Sequence, residues 1–476
     1  MRRKMKYVVI GGGIAGVSCA NEMLKLERAP ELEVVLISSS SFVKSVENYR
    51  KVGHYGEKFD VNEADSSEIF PDQRFKFIND TVVNWDAQKK DIQLQNHEKL
   101  KYDKLCIATG SRPKLQNELG ADPRFLFLRD TQSAEQLKHQ LRSARNVLIV
   151  GNGGIATELI YELKNVELTW LVRDSWICAS FFPEDVEKFI EKRLLDGRSD
   201  GKKHDGVQKH LRYSTSSVSH PGLSGPALGP DWCSTIDFGQ ISQKFTNRTV
   251  KILRNCVIEN IETSGELSIE YLDRNNGTKN FLKPDLVIWA GGVTPNSEVW
   301  RKEESLKTTA NGGISVNDAC ETSISDVYAC GDVSTLTLSE VSSTLWNQRQ
   351  LWTQARQLGE VCGRAMVAGA EEARMQNMYF ELFSHCTTFF GLKVVFLGDY
   401  KPERQRAGNW KVVLRDTEED KLVRCIVVNN VIVGALLIGE TEMEETLENL
   451  ILNKTDLEGI SETFLEPRVD LDDYFD

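Results

Sequence analysis

Two glycine-rich turns, each closing a short apolar run, constrain this chain more than any other feature. Tyr7-Val8-Val9-Ile10 leads into Gly11-Gly12-Gly13-Ile14-Ala15-Gly16, and Asn146-Val147-Leu148-Ile149-Val150 leads into Gly151-Asn152-Gly153-Gly154-Ile155-Ala156. The first glycine of each set, Gly11 or Gly151, permits a tight strand-to-helix turn. The second, Gly13 or Gly153, lets a pyrophosphate approach the backbone. The third position, Gly16 or Ala156, must be small for the helix to pack close to the strand. The helix N-terminus then offers unpaired N–H groups and a positive dipole end to the phosphates. Two such turns predict two dinucleotides on one chain, and the usual reason to hold two is to pass electrons between them.

Two further segments extend the pattern. Leu105-Cys106-Ile107-Ala108-Thr109-Gly110-Ser111-Arg112-Pro113 reads as a buried strand ending in a small-residue turn, and Asp326-Val327-Tyr328-Ala329-Cys330-Gly331-Asp332-Val333 as an apolar strand ending in Gly-Asp. Taken in order, these turns resemble the two-dinucleotide flavoprotein reductases, the pyridine nucleotide-disulphide oxidoreductase superfamily. Asp285 to Asn296 is a third echo, and the resemblance covers residues 5 to 370. It implies an α/β fold: two Rossmann-like dinucleotide-binding domains, for FAD and NAD(P)H, plus a C-terminal α+β domain.

By resemblance, FAD is held by Gly11, Gly13, Ile14, Ala15, Gly16, Ser38, Val82, Ala108, Thr109, Gly110, Gly331 and Asp332. NADPH or NADH is held by Gly151, Gly153, Gly154, Ile155, Ala156, Arg173, Asp174 and Gly292. Asp332 would accept hydrogen bonds from cofactor hydroxyls. A helix from about Ser343 to Met366 would aim its positive end at the flavin. Trp346 and Trp352, near its start, would pack at the flavin site. Ala227 to Trp232, Leu351 to Gln357 and Asp470 to Asp476 lie outside the nucleotide motifs and narrow the resemblance to one subfamily. That subfamily implies a protein partner, an RtcB-type tRNA ligase protected from oxidation.

The chain of 476 residues is long enough for several cores. Its net charge of −12 provides no overall attraction to nucleic acid or an anionic membrane, so neither is expected as a partner. No apolar run approaches a bilayer-spanning length, and the apolar stretch after the basic Met1 to Lys6 is too short for a signal peptide. The ten cysteines (Cys19, Cys106, Cys178, Cys233, Cys256, Cys320, Cys330, Cys362, Cys386 and Cys425) contain no CxxC pairing. They read as scattered reduced thiols of a nuclear and cytoplasmic protein, with no metal site.

The expected organisation is an FAD domain in two parts, 1–127 and 284–372, around an NAD(P)H domain at 128–283. A flexible insertion lies at 196–240, its basic stretch Arg198 to Arg212 read as a solvated loop. Glu33 to Ile37 is the second strand of the FAD domain, and Phe75 to Val83 with Asp91 to Leu94 suggest a meander. In the C-terminal domain, 373–476, Lys411 to Leu414, Leu422 to Val428 and Ile432 to Ile438 read as strands. Asn429-Asn430 forms a hairpin turn, followed by an acidic helix, Glu442 to Leu452, and an acidic aromatic tail.

One absence separates reaction classes. Disulphide reductases of the superfamily carry a cysteine pair on the helix after the second strand. Here Ser38 to Lys51 holds no thiol, and none stands between Cys19 and Cys106. The C-terminal histidine that serves such a pair is also lacking, since His385 is the last in the chain. Cys386 beside it would point to the opposite face of a strand. Disulphide reduction is therefore disfavoured.

The resemblance implies Glu158, on the first helical turn after the second glycine motif, as a catalytic acid near the nicotinamide. Lys44, with Lys51 as the alternative, would be its cationic partner on the FAD side. Ser38 replaces the usual ribose-binding acid of the FAD strand, and Val172 replaces the NAD-selective acid. Arg173 suits a 2′-phosphate and Asp174 a 2′-hydroxyl, leaving NADPH and NADH both open. Three functions stay in play: a plain NAD(P)H oxidoreductase, an electron donor to an iron–sulphur or quinone acceptor, and a nucleotide-gated redox-sensing binding protein.

Overall fold

The computed structural model describes residues 4–26, 32–164, 166–196, 213–215, 249–337, 345–376, 379–401, 410–417, 420–466, 469 and 471. They fall into two compact units, divided after Gly110 and before Pro295, with Tyr213–Thr215 assigned to the first.

The first unit is built on strand β1 (Met5–Ile10), helix α1 (Ile14–Leu26), β2 (Leu32–Ser38), the hairpin β3 (Phe42–Val52) and β4 (Gly56–Asp65), and β5 (Phe75–Asn79). β1 lies at the centre of a parallel sheet, between β2 and Lys104–Ile107; β5 and Val327–Ala329 form its edges. Val8, Val9, Val34, Leu36 and Ile37 are fully buried, as expected for a parallel sheet covered on both faces. The register aligns Ile10 with both Ile37 and Ile107, and Ile107 with Ala329. Four strands therefore end level. Gly11, Ser38, Ala108 and Cys330-Gly331, scattered through the sequence, meet at the carboxyl ends of the strands, where open α/β sheets bind ligands.

Several expectations are corrected here. Phe75–Asn79 is not part of a meander but pairs in parallel with β2; the meander is Val82–Asp86, Asp91–Leu94 and Lys99–Lys101. Alternation along a short strand does not say which neighbour it joins. The residues after β2, a cysteine-bearing helix in disulphide reductases, form the antiparallel β3–β4 hairpin instead. The long helix starts at Trp352 and ends at Ala368, well after Ser343. Gln348 explains part of the delay: its Oε1 accepts from Leu336 N (2.7 Å) and its Nε2 donates to Ser334 O (3.0 Å). Gln354 likewise bonds the backbone of Asn347 and Arg349. These side chains take up backbone groups of an extended segment. Trp346 lies in that segment, edge-on to Phe380 at 5.0 Å.

The second unit has its own parallel sheet, in the order Phe125–Leu126, Leu286–Trp289, Asn146–Val150, Glu167–Leu171 and Thr249–Leu253. Boundaries at 127 and 283 would have assigned its first two strands to the FAD domain. Both are apolar and flank turn sequences, so composition does not mark the break; pairing does, of Leu286–Trp289 with Asn146–Val150 and of Phe125–Leu126 with Leu286–Trp289.

The C-terminal residues cluster with the first unit. Their antiparallel sheet contains Ser384–Phe389 and Leu392–Gly398 in addition to the three expected strands. Asn429 and Asn430 have φ of 49° and 63°, the two positive values of a type I′ hairpin turn. The acidic helix runs from Glu444 to Leu452 and buries Leu447, Leu450 and Ile451. The insertion lies outside the described residues, except for Asp196 at the end of a helix and a strand, Tyr213–Thr215, parallel to β4. Ala227 to Trp232, Asp470 and the tail from Asp472 also lie outside them.

Candidate functional site

At the carboxyl edge of the first sheet, Gly11, Gly16 and Gly331 have steric causes within the chain. Gly11 has φ +125°, and a Cβ there would stand 2.1 Å from Ala108 O. A Cβ on Gly16 would stand 2.0 Å from Gly11 O, so the helix start can approach its strand only with a bare α-carbon. Gly331, with φ +73°, would meet the Ala15 Cβ at 2.7 Å. Gly13 differs: no atom lies within 4 Å of its ideal Cβ. Nothing in the protein requires a glycine there, whereas a pyrophosphate approaching the α1 N-terminus would. The residues present fit FAD on this test.

The surrounding residues hold this edge rigid. Lys44 N donates to Gly12 O (2.9 Å), tying the β3 edge to the glycine turn. Thr109 Oγ1 donates to Asn296 O (2.7 Å), Asn296 Nδ2 to Thr109 O (2.9 Å) and Asn296 N to Gly110 O (2.9 Å). Asn296 thus brackets the Thr109-Gly110 turn, a role the sequence did not single out. Ser38, buried at the end of β2, accepts from Ser40 N at its Oγ (3.2 Å). Asp332 is half-buried on a 3-10 turn that Ser334 Oγ braces at Gly331 O (2.8 Å). Val82 points into the hydrophobic core beside Trp85 and Ile92, which leaves its backbone as the part able to face a cofactor. Ile14 and Ala15 are buried in the first turn of α1.

The Lys44 side chain is 1 % exposed, with Nζ 3.8 Å from Glu63 Oε2. Register produces this pair, since Lys44 stands opposite Glu63 in the hairpin. At the other end of β4, Glu57 is gripped by Arg356 Nε (2.5 Å) and Nη2 (2.9 Å) and by Gln357. Burial of Arg356 works against its charge, but the hydrogen bond and charge of Glu57 outweigh it and raise the guanidinium pKa. Leu351 to Gln357 is therefore a buried polar knot at the start of the long helix.

In the second unit, Gly151 has φ +129° and its Cβ would stand 2.2 Å from Ala290 O. Gly153, the N-cap, would meet only Ser180 Oγ at 3.9 Å, so space is open where a second pyrophosphate would lie. Gly154 and Ile155 open the helix and Ala156 is fully buried against the strand. Gly292, at φ +94°, accepts from Lys114 N through its carbonyl (3.0 Å). Asn152 Nδ2 donates to Asp174 Oδ2 (2.8 Å) and to Trp176 O (2.9 Å), and its Oδ1 accepts from Cys178 N (2.5 Å). The Asp174 carboxylate is thereby engaged inside the unit, while Arg173 beside it is exposed. Glu158 is half-buried in the second turn of helix Gly154–Glu162; no acid occupies the first turn, contrary to expectation.

His385 and Cys386 are both buried on Ser384–Phe389. Burial, then the Arg349 charge, lowers the His385 pKa to about 3, and burial raises the Cys386 thiol to about 11. Neither group is poised for acid–base or thiolate chemistry at neutral pH. The nine described cysteines are all buried, and Cys233 lies outside the described residues. They are not all scattered, however: Cys19, Cys106, Cys330 and Cys362 converge in the first unit. No helix among the described residues is long and apolar enough to cross a membrane.

Comparison with known proteins matches residues 5–212 and 238–359 to the family described as pyridine nucleotide-disulphide oxidoreductase. A relative from Drosophila melanogaster, pyridine nucleotide-disulfide oxidoreductase domain-containing protein 1, is 37% identical and covers 100% of both chains. The human protein of the same name is 33% identical, covering 99% of this chain and 98% of its own. Among solved structures, a ferredoxin reductase from Rhodopseudomonas palustris superposes with a TM-score of 0.62 at 16% identity, covering 91% of each chain.

Proposed function

Because the chain belongs to the pyridine nucleotide-disulphide oxidoreductase family, whose cofactors are FAD and NADH or NADPH, we propose that it is an NAD(P)H oxidoreductase working without a cysteine pair beside the flavin. When bound, the two dinucleotides supply hydride transfer from the nicotinamide to the flavin. The protein contributes binding, orientation and exclusion of water. Gly11, Gly13, Gly16, Ala108 and Gly110 shape the FAD cradle, and Asp332 takes cofactor hydroxyls. Gly151, Gly153 and Ala156 shape the second cradle, with Arg173 placed to meet a 2′-phosphate. Glu158 positions the nicotinamide end, and buried Lys44 sets the charge on the FAD side.

The observation that carries this reading is the β3–β4 hairpin, which holds Lys44, Glu57 and Glu63 and no thiol. The test is anaerobic stopped-flow reduction by NADPH and NADH, followed by glutathione disulphide or an aromatic disulphide. Rapid flavin bleaching with no disulphide turnover is expected. Saturable disulphide reduction, abolished by replacing one cysteine, would overturn the reading.

The reduced protein is further proposed to hold a redox-sensitive partner, an RtcB-type tRNA ligase, in nucleus and cytoplasm. A chain with no dithiol relay but two dinucleotide cradles suits a sensor whose surface changes with cofactor state. Such gating requires a coupling free energy of about 1–3 kcal/mol between nucleotide and partner. Titrating the ligase with and without NADPH under anaerobic conditions tests it; equal affinities would leave the plain oxidoreductase. The fold likeness to a ferredoxin reductase supports electron donation to an iron–sulphur protein as the alternative, which fast ferredoxin reduction would favour.

A further inference from the structure

Four cysteines distant in sequence meet in the core of the first unit, directly beneath the FAD edge. Cys19 comes from α1, Cys106 from the strand Lys104–Ile107, Cys330 from the end of Val327–Ala329, and Cys362 from the long helix. All four are 0 % exposed. Cys106 Sγ lies 3.5 Å from Cys330 Sγ and 3.5 Å from Cys362 Sγ. The sulphurs of Cys19, Cys106 and Cys362 all lie within 4.8 Å of one another. Met366 Sδ closes the group, 3.9 Å from both Cys19 and Cys362.

We propose that this cluster is a binding site for a soft d10 metal ion, zinc(II) or copper(I), ligated by Cys19, Cys106 and Cys362 and completed by Cys330 or Met366. The spacing is the first argument. Thiolates about 2.3 Å from a metal stand about 3.8 Å apart in a tetrahedron and about 4.0 Å apart in a trigonal plane. The two 3.5 Å sulphur contacts of Cys106 fall short of these values by about 0.3–0.5 Å, and the 3.9 Å contacts of Met366 lie between them, so closure at these contacts requires shifts of a few tenths of an ångström. Donor chemistry is the second: thiolate and thioether sulphur select zinc and copper(I) over harder ions. Binding releases the protons of the coordinating thiols to solvent. Lys104 brings an ammonium to this end of the core, donating from Nζ to Met366 O (2.5 Å).

A disulphide is the competing use of close thiols, and geometry disfavours it for the Cys106–Cys330 pair. Cys106 is in register with Tyr328, so Cys330 lies two residues further along a neighbouring parallel strand. A strand spacing of about 4.8 Å and a rise of about 3.3 Å per residue put the two α-carbons about 8 Å apart. A disulphide spans less than about 7 Å. A metal ion bridges that gap through sulphurs that already converge.

Position gives the site a consequence. Cys106 stands two residues before Ala108, Cys330 directly before Gly331, and Cys19 three residues after Gly16. An ion there ties two strand ends, α1 and the long helix together under the cradle. Metal loading should therefore raise both the thermal midpoint and FAD retention. The proposal does not depend on the redox reading above.

The test uses full-length, FAD-loaded, thiol-reduced protein under anaerobic conditions. Zinc(II) and copper(I) are delivered in separate arms from a chelator buffer, with metal content and the absorption-edge ligand shell as readouts. One ion per chain is expected, in a shell of three or four sulphurs at about 2.3 Å. Cys106→Ala with Cys362→Ala should weaken binding at least tenfold, while Cys256→Ala should leave it unchanged. No stoichiometric ion in either arm, a shell containing nitrogen or oxygen, or retention in the double variant would overturn the site. Should the double variant lose its FAD or fail to fold, the wild-type shell decides, because it reads the ligands directly.

Discussion

Replacing Gly359 with alanine separates the packing described here from generic helix behaviour, because the two predict opposite signs. In a solvent-facing helix interior, glycine to alanine gains about 1 kcal/mol. Gly359, however, lies on the face of the long helix that meets α1. An alanine Cβ there would stand 2.3 Å from Ala15 O and 2.9 Å from the Ser18 Cβ. Carbon–oxygen contact needs roughly an ångström more, and the obstacle is a backbone carbonyl that no rotamer change can move. Forced overpacking costs about 1–3 kcal/mol. Set against the propensity gain of about 1 kcal/mol, Gly359→Ala should destabilise the protein by up to about 2 kcal/mol. One turn on, Gly363→Ala would meet Cys19 O at 2.5 Å. The double variant should cost less than the sum, since one displacement of the helix relieves both clashes. Ala15 lies in the first turn of α1, so the shift should also loosen FAD. Equilibrium urea unfolding and the flavin-to-protein ratio after gel filtration measure the two effects. A raised unfolding midpoint with full flavin content would refute the close helix contact.

Other outcomes follow from single residues. Asp332→Ala should weaken FAD binding by about 2 kcal/mol, roughly thirtyfold, in a fluorescence titration. Arg173→Ala should raise the KM for NADPH about tenfold and that for NADH little; equal effects would remove Arg173 from the 2′-phosphate. His385, held to about 3 by burial and Arg349, is neutral when folded but takes a proton near pH 6.5 when unfolded. The unfolded chain binds the extra proton between those values, so stability is full above pH 6.5 and falls as pH drops. Between pH 6 and 5 the loss should be about 1 kcal/mol, and His385→Asn should flatten it in urea melts at those two pH values.

The local motifs were legible because they are encoded by neighbours. An apolar run followed by Gly11-Gly12-Gly13 or Gly151-Asn152-Gly153 specifies strand, turn and helix without reference to the rest of the chain. Asn429-Asn430 announces its hairpin by the same logic, since asparagine tolerates the positive φ that such a turn demands. The absence of a thiol between Cys19 and Cys106 is likewise a property of sequence alone.

Tertiary structure decided what depends on residues far apart. Whether Phe75–Asn79 joins a meander or the main sheet turns on the edge offered by β2, not on its own alternation. The delayed start at Trp352 depends on Gln348 and Gln354 taking up backbone groups of the preceding segment. Asn296 finds Thr109 and Gly110 only once the chain has returned from the second unit. The same holds for the cysteines, each of which reads as an isolated small apolar residue. Level strand ends and two bare α-carbons on the long helix bring four of them together, because sheet register and helix approach are set by long-range packing that spacing in sequence does not record.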